Sequence, residues 1–263
     1  MKALKWIGIV LLALYAIVCV VVYFMQERIF FQPDKLSDRH VFRQGEEIEL
    51  EVAENLFIHC LLLKEENSQG LVIYFHGNKG SNRRCLHQAY GLMGNQYDIL
   101  MPDYRGFGKS DGKITSEKQL YHDAEAVYQY ALQHYDENDI ILVGYSMGTG
   151  MVTHLASQHN PAHVVLNSPY ISFIDLKNRK FPLVPDFLIK YPLNNKKQIA
   201  QIKSQVTIFH GTTDDLIPYD SAESLQAVDP DRIELIPMRN TSHRRAIFSD
   251  VFVSGVAEVL RAN

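Results

Sequence analysis

Ile140-Ile141-Leu142-Val143-Gly144-Tyr145-Ser146-Met147-Gly148 is the stretch on which the fold turns. Four apolar residues in a row read as a strand buried on both faces, the pattern of a parallel sheet covered on two sides. The motif G-x-S-x-G follows at once, and a helical pattern runs on over Met147–Gln158. Strand, sharp turn and helix make the setting of a nucleophile elbow. There the turn forces the serine into a strained conformation with its hydroxyl presented, and small glycines flank it to avoid clashes. Three fixed residues alone are weak evidence, and the setting supplies the specificity. The plain alternative is a serine capping a helix after a glycine turn. Ser146 is therefore the candidate nucleophile.

Short apolar runs recur on both sides of this stretch, at Leu71–Phe75, Ile99–Met101, Val164–Leu166 and Val206–Phe209. Helical patterns separate them. Ser116-x-x-Gln119 can form a capping box ahead of an apolar stripe of Leu120, Ala124, Val127 and Ala131. Arg244–Leu260 is a further helical candidate. Buried strands alternating with helices predict an α/β fold with a mostly parallel sheet and helices on both faces. Before them, Glu47–Ala53 alternates like a half-exposed strand, and Leu56–Leu63 reads as its hairpin partner across Glu54-Asn55. From 170 to 201 the strand pattern stops, and Pro182, Pro185 and Pro192 fall among large apolar residues. That stretch reads as an inserted lid. Phe181, Phe187 and Leu188 are its candidate acyl-binding residues, against the plainer reading that a lid is apolar underneath.

A serine hydroxyl needs a base to become a nucleophile. Of eleven histidines, His243 alone stands in a loop after the last strand-like run, Arg232–Met238. That is where the base comes in the chain order Ser…Asp…His. The acid must lie between them. Asp214 and Asp215 follow the Val206–Phe209 strand, and an acidic residue past a strand's C-terminal end can reach neighbouring catalytic loops. Residue reasoning leaves these two aspartates open. The oxyanion needs preorganised donors. The backbone N–H of Met147 is one candidate, and that of Asn78, after the Leu71–Phe75 strand, is the other. The turn Asp103–Ser110 reads as a glycine-rich brace with no catalytic duty.

The 263 residues suit one mid-sized domain with an appendage. A net charge of −4 without a basic block gives no reason to expect a nucleic-acid partner. Cys60 and Cys85 form no C-x-x-C pair, so zinc and redox motifs lack support. Two free, buried thiols are expected in place of a disulfide. Trp6–Met25 carries no charge, and about 20 apolar residues suffice to cross a bilayer. The run exceeds a signal-peptide core and no A-x-A-like site follows it, so an uncleaved single-pass anchor is expected. The domain plan is an anchor over 1–26, a connector over 27–44, and a hydrolase-like domain over 45–263. Basic residues flank the span on both sides, and the short tail with Lys2 and Lys5 favours an extracytoplasmic domain.

The ordered set of motifs resembles the bud-emergence-type α/β-hydrolases, N-terminally anchored serine hydrolases, and the broader serine aminopeptidase-like group. The matching stretches are Tyr74–Asn78, Asp103–Ser110, Gly144–Gly148, Asn167–Pro169, Phe209–Asp214 with Pro218, and Ser242-His243. Glu27–Phe31 after the apolar run matches as well. The resemblance implies an α/β-hydrolase fold and places the acid at Asp214. Asn240-Thr241-Ser242 departs from relatives that more often carry glycine there. The expected function is hydrolysis of an ester or thioester through an acyl-enzyme, with no metal or organic cofactor. A small acyl ester or lipid-like molecule is the expected substrate, and the membrane is the expected partner through the N-terminal helix. Two rivals are an aminopeptidase or amidase of the same fold and a non-catalytic anchored interaction protein.

Overall fold

Eight strands form one sheet in a computed structural model that describes residues 1–263. In chain order they are β1 (Glu46–Ala53), β2 (Leu56–Leu63), β3 (Gly70–Phe75), β4 (Tyr97–Pro102), β5 (Ile140–Tyr145), β6 (His163–Asn167), β7 (Gln205–Gly211) and β8 (Ile233–Met238). Across the sheet they run β8-β7-β6-β5-β3-β4-β2-β1. Only β2 runs against the common direction, antiparallel to β1 and β4. The order reverses beside β3, where β5 lies on one side and β4 on the other. Loops leaving the C-terminal ends of strands at such a switch form a crevice.

The apolar runs lie where continuous burial predicts, with β3, β4 and β5 buried at every position. Side chains alternate between two cores. Leu71, Ile73 and Phe75 join a cluster of 38 residues, whereas Val72 and Tyr74 join one of 23, so both faces of the sheet are covered. Helices α3 (Glu117–Leu132) and α4 (Gly148–Gln158) cover the first face. Helices α2 (Asn82–Ala89) and α9 (Asp250–Ala262) cover the second. Ser116 caps α3 by accepting from the Gln119 N–H, as its motif predicts. The reciprocal bond differs, because Gln119 Oε1 reaches the Thr115 N–H at 2.9 Å instead of that of Ser116. The helix expected over Arg244–Leu260 is broken into α8 (His243–Ala246) and α9, and Ser249 starts the second piece by accepting from the Phe252 N–H.

The stretch 170–201 holds no strand. It contains α5 (Phe173–Lys180), a 3₁₀ turn at Asp186–Leu188 and α6 (Asn195–Ile199). Asn195 ties α6 to α4 through Thr149 and Thr153, each at 2.9 Å. Between them and the C-terminus, α7 (Asp220–Gln226) packs Ala222 and Leu225 into the larger core.

The N-terminal helix α1 (Lys2–Phe30) runs past the expected boundary at residue 26. It is the one helix long and apolar enough to cross a membrane, with a mean hydropathy of 2.9 over 18 residues and none of that window buried. Its C-terminal turn is fastened to the rest of the chain. Gln26 is buried and pairs with Leu188 O and the Lys190 N–H, at 2.7 and 2.9 Å. Glu27 accepts from Lys190 Nζ and Tyr191 OH, both at 2.9 Å. Beyond it, Gln32-Pro33 pairs in parallel with Lys79-Gly80. Cys60 and Cys85 are free and buried, as expected.

Candidate active site

The turn after β5 has the strain its motif demands. Ser146 sits at φ +52°, in the left-handed region that non-glycine residues rarely occupy. Its glycines are fixed by close approach. A Cβ on Gly148 would lie 2.0 Å from Phe75 O, and one on Gly144 would lie 2.8 Å from Gly148 O. The start of α4 therefore passes so close to β3 and β5 that only hydrogen fits. Asn167 O holds the Ser146 N–H at 2.9 Å, so the strand-end Asn167-Ser168-Pro169 supports the elbow from β6.

Three loops at the C-terminal edge of the sheet bring the candidate triad together. His243 Nε2 is 2.9 Å from Ser146 Oγ, and His243 Nδ1 is 2.8 Å from Asp214 Oδ2. All three side chains are nearly or fully buried. The second oxygen of Asp214 accepts from the N–H groups of Leu216 and Ile217, at 2.9 and 2.8 Å. Burial alone would raise the Asp214 carboxyl. The hydrogen bond and charge of His243, with those two N–H groups, outweigh burial and hold the carboxyl below its ordinary value. An ionised Asp214 can only accept, so Nδ1 carries a proton, and in the neutral tautomer this selects, Nε2 is the nitrogen that accepts from Ser146. Asp215 is exposed and makes no side-chain hydrogen bond, which separates the two aspartates.

The acid and base loops touch backbone to backbone. A Cβ on Gly211 would meet Thr241 O at 2.1 Å. The Asn240 N–H donates to Thr212 Oγ1 at 3.0 Å, and Asn240 itself sits at φ +53°. Asparagine tolerates that conformation better than most residues, so the departure from glycine leaves the loop geometry intact.

Neither the Asn78 N–H nor the Met147 N–H donates to any group of the protein. Gly77 brings the Asn78 loop against the elbow, since its Cβ would lie 3.6 Å from that of Ser146. The brace expected from Asp103–Ser110 is built from side chains that sequence reasoning did not single out. Tyr104 OH donates to His76 O at 2.6 Å, and Asp103 Oδ1 takes the Asn82 N–H at 2.8 Å and lies 3.3 Å from His76 Nε2. Arg105 anchors the turn to α3 through a buried bidentate pair with Asp123, at 2.6 and 2.7 Å. Tyr145 is another unpredicted contributor. Its hydroxyl donates to His243 O at 3.0 Å and its ring stacks on the imidazole. The aromatic residue inside G-x-S was the available signal.

Two of the three expected lid residues are open to solvent and not enclosed in a pocket. Phe181 and Phe187 are exposed by 63% and 84%, because the lid turns them away from the core. Leu188 is half-buried, and its carbonyl is held by Gln26. No group of three His, Cys, Asp or Glu side chains could hold a metal ion.

Residues 66–193 match the family model described as Hydrolase_4, serine aminopeptidase, S33. That match covers Asn78, Ser146 and Met147 and stops before Asp214 and His243. An uncharacterized protein of Acanthamoeba polyphaga mimivirus is 26% identical over 197 residues, 67% of each chain. An uncharacterized protein of Mycobacterium tuberculosis is 31% identical over 173 residues, 63% of this chain and 60% of the relative. The alignments thus span 60% to 67% of those relatives' lengths. An esterase of Pyrococcus furiosus superposes with a TM-score of 0.70 at 21% identity, covering 88% of this chain and 98% of the other. Est1E from Butyrivibrio proteoclasticus superposes with a TM-score of 0.66 at 16% identity, over 83% and 98%. The chain has the α/β-hydrolase fold.

Proposed function

We propose that this chain is a membrane-anchored serine hydrolase that cleaves carboxylic esters or thioesters through an acyl-enzyme. One observation carries the reading: an unbroken hydrogen-bond chain from Asp214 through His243 to Ser146, ending on a strained serine. Ser146 Oγ attacks the acyl carbonyl while His243 Nε2 takes its proton. Asp214 holds the tautomer and stabilises the imidazolium. The N–H groups of Asn78 and Met147 receive the negative oxygen. The leaving alcohol or thiol departs with the proton from His243, and water repeats the sequence to release the acid. The description of the matching family favours one rival, cleavage of aminoacyl amides.

The bud-emergence-type resemblance supplies the finer reading of an anchored enzyme. The lock between Gln26, Glu27 and the lid supports an uncleaved α1 over a removed leader, because cleavage just after the apolar run would cut the helix that carries it. Lys2 and Lys5, close to the span, favour an extracytoplasmic catalytic domain.

The test is a panel of p-nitrophenyl esters of increasing acyl length beside aminoacyl p-nitroanilides, with the full chain in detergent. Ester cleavage should fall by at least about 10³-fold in Ser146→Ala. Undiminished ester cleavage in that variant would overturn the reading. Faster turnover of the anilides would move the substrate to the amide class.

A further inference from the structure

Apart from the terminal Met1, Leu183 and Phe187 are the two most exposed large apolar side chains outside α1, at 81% and 84%. Phe181 adds a third, so the segment from 181 to 188 offers water a cluster of bulky apolar groups. Such a cluster marks an interaction surface. Its neighbour is the apolar helix. Tyr15 OH donates to Leu183 O at 2.7 Å, and Gln26 Nε2 donates to Leu188 O at 2.7 Å. The two contacts lie eleven residues apart on α1, about 16 Å along its axis. Tyr15 is in the middle of the uncharged run Trp6–Met25. The lid segment therefore runs beside the part of the helix that a bilayer must cover.

Much of the backbone of this segment is satisfied without water. Pro182 and Pro185 have no N–H to satisfy. The N–H groups of Val184, Leu188 and Ile189 donate to Phe181, Pro185 and Asp186 within the segment. The carbonyls of Leu183 and Leu188 are taken by α1, and that of Val184 by Lys177 Nζ at 2.6 Å. Lys177 is itself buried and paired with Asp186, which neutralises both charges. The N–H groups of Leu183, Asp186 and Phe187 have no partner in the chain, so the segment meets the demand of lipid for internal satisfaction only in part.

We propose that the lid tip, Phe181–Leu188, inserts into the lipid leaflet beside α1, with Phe181, Leu183 and Phe187 among the acyl chains. The partner is the bilayer itself, and the tip reaches the level of Tyr15, about 16 Å along the helix from Gln26. The proposal rests on the reading of α1 as a membrane span. Its consequence for the site follows from Asn78, whose side-chain amide donates to Phe30 O at 2.7 Å at the end of α1. The candidate oxyanion loop thus stands at the membrane edge, where an amphiphilic ester could enter from the leaflet.

The natural chain has a single tryptophan, Trp6, and this permits a depth measurement. The full chain is reconstituted into phosphatidylcholine vesicles with and without doxyl-labelled acyl chains. Quenching of Trp6 tests the span. Phe187→Trp and Leu183→Trp, each on a Trp6→Phe background, test the lid, and Glu66→Trp at the opposite edge of the sheet serves as reference. The lid reporters should be quenched by the labelled lipid and should respond several-fold less to aqueous iodide than the Glu66→Trp reporter. Lid reporters open to iodide and indifferent to doxyl lipid, with Trp6 quenched, would overturn the lid proposal alone. Reporters shielded from both quenchers would also overturn it, and would assign the patch to a second protein chain. An unquenched Trp6 would remove the span and the proposal together.

Discussion

Asp214 and Asp215 are adjacent in sequence and opposite in consequence. Asp214 holds three hydrogen bonds from the imidazole and two N–H groups, and Asp215 is exposed. Asp214→Asn should lower kcat by on the order of 10³- to 10⁴-fold with the fold intact, because the amide no longer selects the productive tautomer. Asp215→Asn should leave kcat within a factor of two or so, a surface change with no partner lost. Ester turnover by the two purified variants decides between them. A second residue contributes to the acid limb of stability. Burial pushes the His163 imidazole down from 6.5 to about 4. The unfolded chain takes up that proton near 6.5 and the native state does not until about 4, so the contribution of neutral His163 is full above 6.5 and lost as pH falls. At 1.36 kcal/mol per pKa unit the loss is at most about 3 kcal/mol. Chemical unfolding should show His163→Gln losing less stability than the natural chain between pH 6.5 and 4. Parallel losses would contradict this account.

At the scale of elements, the elbow depends on hydrogen-sized gaps. Gly148→Ala would push a methyl to 2.0 Å from Phe75 O, so α4 must shift from β3. Overpacking of this kind costs about 1–3 kcal/mol or more, which corresponds to a fall in Tm of roughly 2–4 °C per kcal/mol. Thermal melts of the variant check it, and an unchanged Tm would show that the gap is not real. The strands were the most legible elements, because continuous burial writes itself as Ile140–Val143 or Leu71–Phe75. The break between α8 and α9 was not, since the apolar spacing runs through it and only Ser249 signals a new start. The site was legible where it relied on chain order, as with Ser146 and His243. It was illegible where it relied on contacts between distant strands. Tyr104 on His76, Tyr145 on His243 and Gly211 against Thr241 leave no local pattern. The exposure of Phe181 and Phe187 was illegible for a related reason, because composition does not distinguish apolar residues facing a pocket from apolar residues facing outward.

The whole molecule joins an α/β domain to an apolar helix through a partly buried polar joint. Gln26 and Glu27 hold Leu188, Lys190 and Tyr191, and loss of a buried hydrogen-bonding partner costs about 1–3 kcal/mol per group. The double change Gln26→Ala with Glu27→Ala should release the lid and speed tryptic cleavage around Lys180 and Lys190 several-fold. Limited proteolysis in detergent measures this, and an unchanged cleavage rate would mean that the joint does not hold the lid. The same joint was invisible in the sequence, which marked the end of the apolar run and gave no sign that the next turn of helix packs on residues 160 positions away. The relay too exists only when the folded chain brings residues 146, 214 and 243 together, and its reactivity is the direct test. Treatment of the natively folded, full-length protein with a fluorophosphonate, followed by peptide mass spectrometry, should find one adduct, on Ser146, and should lose it in His243→Ala. A folded protein that takes no label at Ser146, or that labels equally well without His243, would contradict the account.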